Sequence, residues 1–439
     1  MIRFLNHIYQ QKLTKKIQQQ LTDLRRHRSD KQLNKTLKNL QQLHRLLLKR
    51  LQRKDKIKVA FFVVHASVWK LDELYRLMEA DERFEPIIVI IPYVVFGDEQ
   101  MRADMDLGYT LFATKGYRVV KTFNEKTNSW LNVKEAIQPD IIFYTNPHEL
   151  TKPAYYIDHF PDVLSCYVQY SFHITHLHEM QYNQLFHNIL WRAFYETDMH
   201  LGFAQQYAAN RGSNVAVVGY AGTDVFLQSA EHKTDPWKIK NPAVKRIIWA
   251  PHHTIDDDKS FLSYSSFLVY ADFFLQLADQ YADKLQLAFK PHPILRPKLS
   301  DPHVWGKKKT DAYYAQWEQG TNTHLFEADY VDLFKTSDAL IHDSASFLVE
   351  YLYLHKPTLY TLRDERVTDR FNGFGKLAFH VHEHANSEQD IIYFIQHTVL
   401  QGNDVKEEER KQFFNRYLIP PYGKSASAHI IDEIKRFVY

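Results

Sequence analysis

Residues 329–364 read DYVDLFKTSDALIHDSASFLVEYLYLHKPTLYTLRD, and the order of elements in this stretch decides the fold. Residues 330–336 predict a short helix closed by Ser337. Ala339, Leu340 and Ile341 predict a short apolar strand. Asp343-Ser344-Ala345-Ser346 then opens a helix whose apolar residues, Phe347, Leu348, Tyr351, Leu352 and Leu354, keep helical spacing. Lys356-Pro357 stops that helix, and residues 358–360 read as the next strand. Small hydroxyl residues at a strand-to-helix turn leave amide hydrogens at the positive end of a helix dipole, which is a ready anion site. An ordinary N-cap, with Asp343 or Ser344 accepting one backbone hydrogen bond, fits the same residues.

The same alternation runs outward in both directions. Apolar strands are expected at residues 57–64, 86–91, 117–120, 139–144, 163–170, 200–203 and 215–218, with helices at 71–78, 99–115 and 185–195. Continuous apolar strands separated by helices imply a mainly parallel sheet covered on both faces. Ligands of such sheets bind beyond the carboxyl ends of strands, where His65, His148 and His173 fall. Residues 220–244 are polar and turn-prone, with Asp235-Pro236 and Asn241-Pro242, and read as a linker. A second unit follows. Its strand 246–250 ends at Pro251-His252-His253-Thr254, and its strand 285–290 ends at Pro291-His292-Pro293. Helices at 267–281 and 312–319 and a strand at 324–327 lead to the opening stretch. Helices at 388–400, 406–416 and 425–437 end the chain. The pattern implies two doubly wound domains with the site between them; two adjacent domains of an unrelated α/β enzyme would read alike.

The totals agree. A chain of 439 residues with 45% hydrophobic and 14% aromatic content can build two cores. A single cysteine, Cys166, excludes an intramolecular disulfide and a cysteine zinc cage and fits a reducing compartment. No run of eighteen apolar residues occurs, and Asn6, His7, Gln10 and Gln11 interrupt the N-terminal apolar residues, so a cytoplasmic protein is expected. Residues 1–56 hold 16 Lys and Arg against 3 acidic residues, whereas the remainder holds 39 basic against 49 acidic. The basic charge thus belongs to one segment. That segment reads as helical, with stripes at Leu13, Ile17, Leu21 and Leu24 and at Leu33, Leu37, Leu40, Leu43 or His44, Leu47 and Leu51, and with Ser29 or Asp30 as a second N-cap. Two readings stand level: an amphipathic element resting on anionic lipid at the inner face of the cell membrane, or a helical hairpin or coiled coil packed on the body or on another subunit of a homo-oligomer. Nucleic acid is not expected as a partner, since no basic groove with stacking aromatics follows.

Further residues carry a resemblance. Tyr330-Val331-Asp332-Leu333, Ser337-Asp338, Asp343-Ser344-Ala345-Ser346, Glu350 and Lys356-Pro357 stand in the order of a motif string of the CDP-glycerol glycerophosphotransferases of teichoic-acid and capsule synthesis. Lys290-Pro291-His292-Pro293 is similar to that family's basic-x-His-Pro strand end, and residues 247–251 to its apolar-Ala-Pro segment. Residues 218–220 with Thr223-Asp224 resemble its Gly-x-x-x-x-Asp turn, and residues 169–175 stand where it has aromatic-His-Gly-Thr. The resemblance covers residues 160–364. Two departures stand out: Ile174 replaces the glycine after the histidine, and His252-His253-Thr254 replaces Thr-x-Arg. A lost arginine removes a bidentate phosphate partner and favours a divergent, capsule-type member.

The resemblance implies a GT-B fold: two Rossmann-like domains facing a cleft, after a basic helical segment at 1–56, with an acceptor domain at 57–225 and a nucleotide domain at 226–439. It implies transfer of an alditol phosphate from a CDP-alditol (CDP-glycerol or CDP-ribitol) to a hydroxyl of a glycan or lipid-linked acceptor, with no cofactor and no metal. His173 is the expected base. His292 and Lys290 are expected to stabilise charge on the transferred phosphate. Residues Asp343, Ser344, Ala345 and Ser346 are expected to hold the diphosphate, Asp343 as a cap rather than a phosphate contact. Glu350 is the expected ribose acceptor, and His252, His253 and Thr254 are expected to border the nucleotide. The cluster His173-x-x-His176-x-His178-Glu179 matches neither the two-histidine helix motif nor a cysteine-based site. Two alternatives remain: a GT-B glycosyltransferase using a nucleotide sugar, and a non-catalytic scaffold of a surface-polymer complex.

Overall fold

Ile57–Val63 (β1) is buried along nearly its whole length, as its unbroken apolar run requires of a central parallel strand. In the computed structural model, which describes residues 2–27, 29–227, 234–255, 262–327 and 329–439, β1 pairs on both sides in parallel register. The strands that follow are Phe84–Ile90 (β2), Val119–Lys121 (β3), the small antiparallel pair Phe123–Asn124 (β4) and Ser129–Trp130 (β5), then Ile141–Tyr144 (β6), Leu164–Val168 (β7), Arg192–Tyr195 (β8) and Val215–Val217 (β9). The first sheet runs β3-β2-β1-β6-β7-β8-β9. The second is built from Lys245–Ala250 (β10), Leu285–Phe289 (β11), Thr323–Leu325 (β12), Ala339–His342 (β13), Thr358–Thr361 (β14) and Glu383–Ala385 (β15), in the order β12-β11-β10-β13-β14-β15. Every pairing in both large sheets is parallel, and each order reverses beside its first strand, giving a switch point between β1 and β6 and another between β10 and β13.

The chain forms two compact units: Met1–Ser171 with Leu177–Asp224 and Pro420–Tyr439, and Phe172–His176 with Val225–Ile419. Against a division at residue 225, the short segment 172–176 joins the second unit and the C-terminal helix Ala426–Val438 returns to the first. Asp224 explains that return. Its carboxylate accepts from the amides of Ala426 and Ser427, each at 2.8 Å, and so caps the helix from a distance in sequence. Burial pushes this carboxyl up to about 6 against those two bonds.

Two sequence expectations are corrected. Residues 185–195 do not form one helix: a short helix, Leu185–Ile189, gives way to β8. His200–Phe203 is not a strand but lies within the helix Asp198–Tyr207. Short apolar runs fit either period, and here Thr197-Asp198 marks the true helix start.

The basic segment forms two helices, Ile2–Arg26 (α1) and Asp30–Leu51 (α2), with Ser29 capping the second. Both expected apolar stripes are buried in the first unit, Ile17, Leu33, Leu43 and Leu51 almost completely. Arg25 bonds both Asp158 oxygens, and Lys54 reaches Asp140 at 2.5 Å. Of the two readings, the hairpin packed on the body therefore describes the apolar faces. No helix among the described residues is long and apolar enough to cross a membrane.

Candidate active site

All the residues to which the sequence assigns a role fall in the second unit, His173 included, whereas His65 and His148 lie in the first. Three adjacent parallel strands, β11, β10 and β13, end side by side in the second unit. Lys290 and His292 follow β11, His252–Thr254 follow β10 and Asp343 follows β13.

Asp343 fixes this edge. It is fully buried, and one carboxylate oxygen accepts from the His252 amide at 2.5 Å. The other accepts from the amide and hydroxyl of Ser266, at 2.6 and 2.9 Å. Ser266 precedes the helix Phe267–Gln280, so Asp343 caps that helix rather than the turn it begins. Burial pushes its carboxyl up to about 7, against hydrogen bonds that favour the charged form.

The turn beyond Asp343 is held from behind. His342 Nδ1 meets the Ser344 amide at 3.2 Å, and the Tyr360 hydroxyl donates to the Asp343 carbonyl at 3.0 Å. The next helix is shorter than its spacing suggests. Phe347–Glu350 is α-helical, and Tyr351–Leu354 tightens into a 3-10 turn. Its macrodipole is correspondingly small. The local amides are what the turn offers: among the described residues, those of Ala345, Ser346 and Phe347 meet no acceptor. Glu350 is buried at 1% exposure and accepts from the Tyr330 hydroxyl. Lys290, also buried, lies 6.0 Å from the Tyr330 ring centre.

His252, His253 and His292 converge at the ends of β10 and β11. Ring centres are 4.3 Å apart for His252–His253 and for His253–His292, and 5.3 Å for His252–His292. Burial first, then the neighbouring imidazoles and lysines, lowers His292 to about 3 and His252 well below its ordinary value, so both rings are neutral at neutral pH. The His292 Nδ1 accepts from the Ile294 amide at 3.2 Å.

His173 rides on a segment anchored through its backbone. Asn372 donates its side-chain amide to the His173 carbonyl at 2.7 Å and its own amide to the Ile174 carbonyl at 2.8 Å. Thr175 bridges Phe371. Ile174 is buried against Gly375, where an added Cβ would stand 2.5 Å from the Ile174 carbonyl oxygen. Glycine is required at 375 by that close approach. His176 joins this anchor through Arg370, whereas His178 belongs to the first unit and stacks on Tyr207 at 4.0 Å. Sequence reading missed Ser266, Tyr360 and Asn372. The serine before an apolar helix is a readable cap signal, but nothing local ties it to Asp343.

Two doubly wound parallel sheets, the second with the candidate site residues beyond its strand ends, define a GT-B-like protein built on Rossmann units. A family model described as CDP-Glycerol:Poly(glycerophosphate) glycerophosphotransferase matches residues 196–434, and the chain belongs to that family of transferases. Among solved structures, the wall teichoic acid polymerase TagF, as a histidine-to-asparagine variant, is similar with TM-score 0.57 at 15% identity, covering 98% of each chain. MnaA from S. aureus with UDP is similar with TM-score 0.54 at 16% identity, covering 88% of this chain and 97% of that one. The UDP-GlcNAc 2-epimerase from Neisseria meningitidis, bound to UDP-GlcNAc, gives 0.54 at 17%, covering 87% and 100%. At these identities the likeness concerns fold. No curated protein matches the chain.

Proposed function

We propose that the chain transfers an alditol phosphate, glycerol phosphate or ribitol phosphate, from a CDP-alditol to a hydroxyl of a surface glycan or lipid-linked polymer. The observation that carries this reading is the match to the glycerophosphotransferase family model across the unit that holds the turn at 343–346. On this reading the second unit takes the nucleotide and the first serves the acceptor. The amides of Ala345, Ser346 and Phe347 receive diphosphate oxygens, Glu350 serves the ribose, and His252, His253 and Thr254 border the nucleotide. His173 accepts the proton of the acceptor hydroxyl, whose oxygen attacks the phosphorus bearing the alditol. The new P–O bond forms as the bond to CMP breaks, and CMP leaves with that electron pair. His292 and Lys290 stabilise the charge on the phosphoryl oxygens.

The test is product identity. Full-length protein is incubated with an acceptor extract and CDP-glycerol, CDP-ribitol or UDP-sugars, and released nucleotides are separated. CMP release with alditol phosphate in the polymer is expected. UDP release with sugar transfer would replace this reading with a glycosyltransferase, and no release from any donor would favour a scaffold.

We further propose that the protein rests on anionic membrane through the exposed basic face of α1 and α2, with Lys12, Lys15, Lys16, Lys31, Lys35 and Lys38 as the contacts. Co-sedimentation with phosphatidylglycerol vesicles is expected at low salt and lost at high salt. Equal sedimentation with neutral vesicles would contradict it.

A further inference from the structure

We propose that His252, His253 and His292 form a binding site for one divalent transition-metal ion of the zinc class, whose remaining coordination position takes a phosphoryl oxygen. One ligand atom from each of the three imidazoles lies within 4.8 Å of the others. Zinc–imidazole bonds of about 2.0–2.1 Å set tetrahedral ligand atoms roughly 3.4 Å apart, a contraction that side-chain rotation can supply. Three imidazoles with no thiolate or carboxylate suit zinc, cobalt, nickel or copper rather than magnesium or calcium. Three protein ligands leave a fourth position open, as in catalytic rather than structural zinc sites.

The surroundings orient the rings. His252 Nδ1 lies 2.9 Å from Thr254 Oγ1, which accepts from the Tyr264 amide at 2.9 Å and donates to the Leu262 carbonyl at 3.2 Å. With the hydroxyl proton directed at Leu262, His252 donates from Nδ1 and its Nε2 keeps a lone pair for a ligand. Such a second partner is what holds a metal-binding histidine in its tautomer. The Thr254 amide, 3.3 Å from the same Nδ1, is the longer and weaker contact. In His292 a tautomer shift, at the cost of the 3.2 Å contact from the Ile294 amide, frees Nε2.

The site also answers a question the sequence raises. Where the resembled family continues Thr-x-Arg after Ala-Pro, this chain has His252-His253-Thr254, so Thr254 stands at the arginine's position directly after the histidine pair. An ion held by that pair and His292 restores positive charge at the end of β10. This departs from the metal-free catalysis implied by the resemblance. The identity of the fourth ligand rests on the functional reading above; binding of the ion does not.

The test uses metal-free full-length protein titrated with Co²⁺, followed by Zn²⁺ competition. One Co²⁺ per chain with the intense visible spectrum of tetrahedral nitrogen ligation is expected. In His253→Ala and His252→Ala, affinity should fall by more than the roughly 10–100-fold that loss of a second-shell partner costs. His303→Ala, at an exposed histidine elsewhere in the unit, should bind as the wild type does. Should the variants fail to fold, X-ray absorption on the zinc-loaded wild type gives the answer, with three imidazoles in the first shell expected. Absence of stoichiometric binding, a hexa-aqua-like spectrum, or unchanged affinity in His253→Ala overturns the site. CDP added to the cobalt protein should shift the spectrum; an unchanged spectrum overturns the phosphoryl ligand. Cobalt binding without CMP release in the donor assay would leave the ion site standing and remove the alditol-phosphate transfer reading.

Discussion

Replacing His173 or His292 with alanine is expected to lower CMP release from a CDP-alditol by about 10²–10⁴-fold, the range of a lost general base or charge-stabilising group. The protein should remain folded in both cases. Residues 172–176 dock through the carbonyls of His173 and Ile174, which Asn372 bonds, and alanine keeps those carbonyls. At position 292 the backbone amide bonds the Pro251 carbonyl at 3.2 Å whatever the side chain, so alanine gives up the ring contacts with His252 and His253 and a single hydrogen bond, the one from the Ile294 amide to Nδ1. That bond is worth about 1 kcal/mol. The check is kinetics beside a urea melt: turnover collapses and the melt midpoint barely moves. Full turnover in His292→Ala would remove the charge-stabilising assignment, and full turnover in His173→Ala would remove the base.

Asp343→Ala is expected to act the other way, on stability first. It strips the acceptor from the His252 amide, the Ser266 amide and, in part, the Ser266 hydroxyl, which keeps Thr361 Oγ1 at 2.8 Å. Each buried donor left without an acceptor costs about 1–3 kcal/mol, so a loss of about 3–5 kcal/mol is expected by urea unfolding. The deficit should depend on pH. With its pKa pushed up by burial to about 7, the folded chain holds a proton at Asp343 that the unfolded chain has released above about 4. Asp343 therefore stabilises most at acid pH, and its contribution declines as pH rises through that window. The deficit of Asp343→Ala should be largest near pH 4–5 and smaller at pH 8. Neutral buried histidines such as His252, His292 and His342 act oppositely, losing stability as pH falls below the unfolded value of 6.5, and they act in both proteins. A deficit that grows from pH 5 to pH 8 would show an Asp343 ionised throughout.

Both parallel sheets were legible because strands buried on two faces write unbroken apolar runs, as in Ile57–Val63 and Leu285–Phe289. The strand-turn-helix at 339–350 was legible for the same reason, with small hydroxyl residues marking the turn. Residues 185–195 and 200–203 depart from expectation because short apolar runs satisfy either period; the pairing of β8 with β7 decides the first, and Thr197-Asp198 marks the helix that takes the second. Partnerships across the sequence left no local trace. Asp343 and Ser266 stand 77 positions apart, and Asp224 caps a helix 202 positions on. The attachment of residues 172–176 to the second unit is of this kind, since it depends on Asn372 and Gly375. Glu350 reads in sequence as the polar residue of a helix, yet it is buried against Tyr330.

A crystal structure of the full-length protein soaked with CDP measures most directly whether the turn after β13 holds a nucleotide diphosphate. Phosphoryl oxygens within hydrogen-bond distance of the amides of Ala345, Ser346 and Phe347, with the ribose toward Glu350, are the expected result. CDP bound away from this turn, or those amides closed on protein acceptors at saturating CDP, would contradict it.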